Sequence, residues 1–283
     1  MLYNNGLILE GGGMRGVFTT GVLDFLLEKE IEFANIIGVS AGACHGASFV
    51  SKQHGRAKDV VLDYINDKRY CSVYSLITTG DMFGVKFAYY EIPNKLNLFD
   101  NETYNKRETK LYAVVTNVDT GKAEYIELKD FSVDIEGLRA SASLPLISRI
   151  VKFKGKKYLD GGISDSVPIK RAEEMGIKKN IVVLTQPKGY VKGVMSTPLL
   201  MKFRYIKYPN FVKSALIRHE MYNSTMDYIE QGEKEGRIFV IRPKEDLKVG
   251  RLEKDVDKLT KIYEKGYLCA KEEYEKLLEF LES

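Results

Sequence analysis

The sequence predicts an α/β protein built on a mostly parallel sheet, and three observations carry that expectation. Two apolar runs near the start, Gly6–Leu9 and Asn35–Val39, each lead into a glycine-bearing turn and then a helix-like stretch. Further apolar runs recur at Asn180–Thr185 and Ile238–Ile241, with helical patterning between them. Strand and helix alternating in this way is the signature of parallel βαβ units. No repeat, low-complexity tract or Pro/Gly/Ser-rich linker interrupts the 283 residues. One domain spanning 1–283 is therefore the simplest organisation, with a mostly helical stretch from 190 to 283.

The elements follow in order. Val17, Val22, Leu23, Leu26 and Leu27 recur at helical spacing after the first strand. Small residues, Ala41 to Gly46, open a second helix after Val39. Arg56 to about Glu108 reads as helix and loop, rich in tyrosine and asparagine, and offers a candidate cap around Tyr74–Ile77 and Gly80–Gly84. Lys110–Thr116 and Ala123–Leu128 read as strands of a hairpin around the turn residues Asp119-Thr120-Gly121. Val133–Ala142 reads as a helix that Leu144-Pro145 ends. Ile150–Phe153 and Lys157–Leu159 flank Lys154-Gly155 as a second hairpin. Pro168 suits the first turn of a helix ending near Gly176. Leu252–Leu281 reads as one long amphipathic helix with Val256, Leu259, Ile262, Tyr263, Leu277 and Leu278 on its apolar stripe.

Composition narrows the function classes. Hydrophobic content of 44% and charged content of 29% suit a globular protein with a sizeable core. A net charge of +4 implies no nucleic-acid partner. No apolar run approaches the roughly 20 residues of a membrane-spanning helix, and the N-terminus lacks signal-peptide character. A cytoplasmic location is the expectation. Cys44, Cys71 and Cys269 are too widely spaced for a zinc site or disulfide framework and read as small hydrophobes. His45, His54 and His219 show no metal-ligand spacing. The sequence implies no metal and no other cofactor.

The chemistry concentrates in three segments. The second strand ends in GVSAG, Gly38 to Gly42, a G-x-S-x-G motif between strand and helix. Such a turn strains the serine backbone and lifts its Oγ clear of the sheet, while a side chain at Gly38 or Gly42 would collide across the turn. The helix starting at Ala41 aims free N–H groups at Ser40. GGGMRG, Gly11 to Gly16, follows the first strand in the same way. In a parallel sheet both turns lie at the carboxyl edge, where ligands bind, so the amides of Gly12 and Gly13 are candidate oxyanion donors to the Ser40 side. The rival reading, a dinucleotide loop, needs an acidic residue at the end of the second strand, which ends instead in Val39-Ser40. YLDGG, Tyr158 to Gly162, places Asp160 at a strand end before Gly161 and Gly162. Its carboxylate is a candidate base for Ser40; an Asp-Gly turn is the alternative.

These three segments, in this order, resemble the patatin-like phospholipases. Further stretches are similar to bacterial members: TNVDTGKAEY from Thr116, LRASASLPLI from Leu138 and SVPIKRAEEMG from Ser166. The resemblance covers roughly residues 6 to 190. It implies a three-layer α/β/α sandwich and hydrolysis of lipid acyl esters by a Ser–Asp dyad without histidine. Residue by residue it implies Ser40 as nucleophile, Asp160 as base, and Gly11, Gly12, Gly13 and Gly16 as the oxyanion loop, with Ala41 N–H assisting. Arg15, inside that loop, is a candidate contact for a lipid phosphate, or else a solvated charge.

Alternatives stay open at this level. Ser40, Asp160 and His219 also occur in the chain order of an α/β-hydrolase triad, although His219 sits in a helical stretch with charged neighbours. His45 lies about 140° from Ser40 on a regular helix and is poorly placed as a base. A non-catalytic regulator on the same fold is a further possibility. Gln186 to Arg218 carries seven basic residues and no acidic one, interleaved with Leu199, Leu200, Met201, Phe203, Tyr205, Ile206, Tyr208 and Phe211. It reads either as a helical pair with its apolar side on the core or as a contact for an anionic membrane face. Lipid or acyl ester is thus the expected partner, and the oligomeric state is left open.

Overall fold

The computed structural model describes residues 1–283. Strand β1 (Leu2–Leu9) leads through a 3-10 turn at Gly13–Gly16 into α1 (Val17–Glu28), and β2 (Glu32–Val39) leads into α2 (Ala41–Val50). Then come α3 (Arg56–Tyr64), α4 (Val73–Thr79), a π-helix at Lys86–Leu96 and α5 (Asn101–Lys106). The hairpin of β3 (Lys110–Asn117) and β4 (Ala123–Glu127) precedes α6 (Phe131–Ser141). A second hairpin, β5 (Val151–Phe153) and β6 (Lys156–Asp160), runs into a 3-10 turn at Gly161–Ile163. The remainder is α7 (Ile169–Glu174), β7 (Asn180–Val183), α8 (Pro198–Arg204), α9 (Pro209–Leu216), α10 (Arg218–Lys234), β8 (Ile238–Ile241), α11 (Val256–Glu272) and α12 (Tyr274–Glu282).

The strands form one sheet in the order β5-β6-β3-β2-β1-β7-β8, with β4 also paired to β3. The five strands from β3 to β8 along that path are parallel, and β4, β5 and β6 add antiparallel pairs at one side. Alternation along the parallel strands separates two cores. Leu7, Leu9, Ile36, Ile181 and Val183 face one side with α1, α2 and α11. Ile8, Ile37, Val39, Val182 and Leu184 face the other with residues of α7 and α10, among them Ile169, Tyr222 and Ile229. Both faces are covered, as parallel sheets require, and the expected three-layer α/β/α sandwich results. Helices α1 and α11 meet through Gly21 and Gly266, where a Cβ on either would strike the partner helix's backbone.

The first two strands begin earlier than expected, at Leu2 and Glu32, and β6 is a residue longer at each end; four other boundaries differ for a local reason. The helix expected from Val133 begins at Phe131, because Asp130 accepts the N–H groups of Ser132 and Val133. The strand expected to reach Thr185 stops at Val183, and Thr185 N–H donates to the Glu10 carboxylate instead at 2.6 Å. The C-terminal helix starts at Val256, capped by Asp255, rather than at Leu252. It also divides at Glu273 into α11 and α12. The break keeps Tyr267 and Tyr274 both edge-on to Phe25 while Leu277 and Leu281 stay buried.

Candidate active site

Ser40 sits between β2 and α2 with φ 55° and ψ −122°. A non-glycine residue in that region costs on the order of 1–3 kcal/mol and persists only where its surroundings hold it. Here the Ser40 N–H donates to Ser141 Oγ at 3.0 Å, and its carbonyl accepts from Ala43 and Cys44 at 3.0 and 3.2 Å. Gly38, one residue before the strand end, packs directly on Ala43, and a Cβ on Gly42 would stand 2.5 Å from the Leu9 carbonyl oxygen. The Ser40 side chain does not cap its own helix. Its Oγ is left for other work, beside the unpaired first-turn amide of Ala41.

Asp160 reaches the same place through the sheet. Val39 pairs with Val114 and Asp160 pairs with Val115. Ser40 and Asp160 therefore stand at one height on either side of β3, roughly 10 Å apart along the backbone, near enough for the side chains to approach. The aspartate is buried and tightly oriented. Its N–H donates to the Ser143 carbonyl at 2.9 Å, its carbonyl accepts the Thr116 hydroxyl at 2.8 Å, and Oδ1 accepts the Gly162 N–H at 2.8 Å. Gly161 allows this turn by packing directly on the Val114 carbonyl. Oδ2 is buried with no partner of ordinary hydrogen-bond geometry. The Ser40 hydroxyl is nonetheless close enough to draw the carboxyl pKa down; burial outweighs it, and the pKa lies above the usual carboxylate value. Catalytic contacts that are loose without substrate and tighten with it are common.

The glycine loop completes the constellation. Gly11 approaches so closely that a Cβ there would lie 3.0 Å from Ser40 Cβ and 2.9 Å from the Val39 oxygen. The amides of Gly11 and Gly12 donate to no group in the protein. Gly13 has φ 58°, and a Cβ on it would meet the Arg251 carbonyl oxygen at 2.5 Å, the same oxygen that accepts the Met14 N–H at 3.2 Å. Gly16 packs against Ala41 and the His45 ring. Glu10 anchors the loop's first end, accepting from Thr185 Oγ1 at 3.0 Å and Tyr222 Oη at 2.9 Å.

Two cavities meet at this point. One, of about 140 Å³, is bounded by Ser40 and lined almost throughout by apolar groups, including Cys44, Tyr89, Ile135 and Leu138. The middle region builds much of its wall through Phe83 and the π-helix residues Ala88, Tyr89, Ile92 and Pro93. The other, of about 540 Å³, is lined by Asp160, Gly162, Lys192, Arg218, His219 and Arg251. His219 Nδ1 bonds the Leu216 carbonyl at the end of α9 at 3.1 Å, and His219 makes no hydrogen bond to Asp160 or Ser40. His45 borders the apolar cavity; burial drives its pKa down to about 4. Burial likewise pushes the neighbouring Cys44 thiol up to about 12. Arg15 lies beside Arg251 and Glu10, with its Nε buried and unpartnered.

Sequence reasoning passed over Ser141 and Ser143, which hold Ser40 and Asp160, and over Glu10, which anchors the glycine loop. Both serines lie in LRASASLPLI, a stretch whose resemblance was its only signal.

A strained serine opening a helix, a buried carboxylate across one strand and a glycine loop with free amides define a nucleophile-elbow α/β architecture. The patatin-like phospholipase family model matches residues 7–173, more than half of the chain, and the chain belongs to that family. A domain of unknown function matches residues 208–282. The chain is 27% identical to the uncharacterized protein YjjU of Escherichia coli (strain K12), over 94% of this chain and 75% of that one. It is 26% identical to lysophospholipase nte1 of Aspergillus terreus over 96% of this chain, which spans only 18% of that much longer protein. The crystal structure of VipD from Legionella pneumophila superimposes with a TM-score of 0.51 at 12% identity, covering 99% of this chain and 67% of that one. No helix is long and apolar enough to cross a membrane.

Proposed function

We propose that this patatin-like chain is a serine acyl hydrolase cleaving fatty acyl esters of lipids, with Ser40 as nucleophile and Asp160 as base. One observation carries the reading: the free Oδ2 of a buried carboxylate lies beside a serine whose strained backbone is held for no evident structural purpose. Asp160 Oδ2 takes the hydroxyl proton as Ser40 Oγ attacks the ester carbonyl. The tetrahedral oxygen rests on amides of the glycine loop, Gly12 and Gly13 with Gly11 beside them, and Ala41 assists. The carbon–oxygen bond to the alcohol breaks and the alcohol leaves with the proton. Water, deprotonated by Asp160, then releases the acid and restores Ser40. The fatty acyl chain occupies the apolar cavity. A carboxylate raised in pKa by burial is a stronger base than a solvated one.

A fluorophosphonate probe tests the nucleophile: the unaltered protein is expected to label and Ser40→Ala is not. Label on Ser40→Ala would end the proposal. His219→Ala separates the dyad from a triad, since the dyad predicts retained esterase activity in the folded variant. A non-catalytic regulator predicts no labelling at all.

Residues 1–283 act in this reading as one catalytic unit, supported by the seating of α11 on α1 and of Arg251 on the glycine loop. The basic segment combines both roles weighed for it. Met201, Tyr205 and Phe211 pack inward, whereas Leu199, Phe203 and Ile206 project into solvent, Phe203 with 80% of its surface exposed. Apolar side chains set among Lys202, Arg204 and Lys207 suit peripheral docking on an anionic lipid surface. Vesicles containing anionic lipid are expected to bind the protein, and charge reversal at those three positions to weaken binding; equal binding to neutral vesicles would remove this element.

A further inference from the structure

The larger cavity contains an unusual charge arrangement. Lys192, Arg218 and Arg251 line it, and Arg15 adjoins Arg251. None of the four forms an ion pair with a carboxylate. Two carboxylates lie near them without pairing to any: Glu10 accepts from Thr185 and Tyr222, and Asp160 accepts from Gly162 through Oδ1 only. Arg218 donates to the Gly162 carbonyl and to Ser166 Oγ at 3.2 Å, which ties it to the turn after Asp160. Lys192 is buried, only 8% exposed, and its Nζ has no hydrogen-bond acceptor. It lies 3.9 Å from the Tyr222 ring centroid.

An ammonium on a largely buried side chain, opening onto a cavity with no carboxylate paired to it, is stabilised by an anion placed in that cavity. The strain of the arrangement is visible in Lys192, whose pKa falls to about 7, first through burial and then through Arg218. Burial and Arg251 also lower Arg15. Glu10 and Asp160 offset part of the cluster's charge through space, but two carboxylates cannot balance four cations, and the cavity is large enough to admit a further anion.

We infer that this cavity is a phosphate site for the head group of an anionic phospholipid or lysophospholipid, held by Lys192, Arg218 and Arg251 with Arg15 at its edge. The placement fits the geometry of an ester at Ser40. Asp160 borders this cavity and Ser40 the apolar one, so an acyl chain and a head group diverge into chemically different spaces from the bond between them. Guanidinium groups match phosphate oxygens in pairs, and an ammonium adds a point charge. A choline head group brings a cation into the same cluster and is disfavoured; a phosphate monoester or a glycerol phosphodiester is favoured. Three of the four cations lie beyond the patatin match, and Arg218 and Arg251 fall in the segment matched by the domain of unknown function. The inference thus assigns that segment a part in head-group recognition. It rests on the hydrolase reading for the position of the acyl chain, but phosphate binding itself does not.

Calorimetry on full-length Ser40→Ala protein separates the two, because binding is read without turnover. The ligands are a short-chain lysophosphatidate, the monoacylglycerol of the same chain, and inorganic phosphate. The lysophosphatidate is expected to bind about tenfold or more tightly than the monoacylglycerol, the equivalent of one charge-assisted contact. That advantage is expected to shrink to about threefold or less in Lys192→Gln/Arg251→Gln and to return in Lys192→Arg. Inorganic phosphate binding as tightly as the lysophosphatidate would overturn the lipid assignment in favour of a free-anion site. Equal affinity for the two lipids in the unsubstituted pocket, or an advantage that survives the double substitution, overturns the phosphate site. Since the first comparison needs no pocket substitution, misfolding of a variant leaves it decisive. Failure to label Ser40 with fluorophosphonate, together with intact lysophosphatidate binding, would instead count against hydrolysis alone.

Discussion

The two cavities that meet at Ser40 and Asp160 differ in almost every physical respect. The smaller is apolar, enclosed by α2, α6 and the π-helix, and contains no unpaired cation except Arg56 at its far wall. The larger has a mixed lining, half of it apolar, and is set apart by cations from the loop after β7, the start of α10 and the loop before α11. One cavity rewards any chain that leaves water, at about 0.8 kcal/mol per methylene, and is indifferent to fine position. The other rewards a particular charge in a particular place. On the proposed reading, chain length and head group are read by separate parts of the polypeptide, so each can be broken without the other.

The largest effect is expected at the junction itself. Asp160→Asn should lower kcat/KM by roughly 10²–10⁴-fold for every substrate, the usual contribution of a positioned base. Stability should move the other way. The Asp160 pKa is raised on folding, so its carboxyl favours the folded state below the unfolded pKa, near 4, and that contribution is lost as pH rises through the folded pKa. At pH 8 the buried charge is a cost that Asn removes. Thermal unfolding at pH 8 should therefore find Asp160→Asn at least as stable as the unaltered protein, with the difference closing toward pH 4; a clear loss at pH 8 would contradict the burial argument.

A second substitution breaks only the apolar side. Leu138→Trp fills part of the smaller cavity and should lower kcat/KM for long-chain relative to short-chain esters by roughly 10–200-fold. Matched losses for both chain lengths would place the acyl group elsewhere. The smallest effect sharpens the polar side. Lys192 faces Arg15, Arg218, Arg251 and Glu10, with Asp160 and His219 on the same cavity. It holds a proton below about 7 and loses it above. The preference for a lysophosphatidylglycerol over the monoacylglycerol of equal chain should fall severalfold between pH 6 and pH 9. Lys192→Arg, which stays protonated, should flatten that change.

The same contrast explains what was legible from sequence. The serine, the aspartate and the glycine loop belong to contiguous strand–turn–helix segments, in which apolar run, glycine and reactive residue sit side by side. The parallel sheet followed from the same segments. Their mutual placement was not readable from spacing, because β6 meets β3 only through an antiparallel register that 38 intervening residues determine. The cationic cavity was legible only in pieces: Lys192 and Arg218 lie in the basic run 186–218 and Arg15 in the glycine loop, but no spacing joined them to Arg251. Lys192, Arg218 and Arg251 are single residues on separate loops and helix ends, and a basic residue there looks like any solvated one until the fold buries it. The break at Glu273 was hidden for a related reason: heptad-like spacing continues across it, and only the seating of two tyrosines on Phe25 separates the helices.

The backbone of Arg251 has a role apart from its side chain. Its carbonyl receives the Met14 amide and presses against Gly13, so a residue late in the chain acts as the backstop for the earliest loop. Any lineage that swapped or trimmed the last third of this polypeptide would be retuning the catalytic loop as well as losing a cation. If the proposed reading holds, a change of lipid preference made through the C-terminal segment is coupled to turnover by a backbone carbonyl that no side-chain substitution can remove.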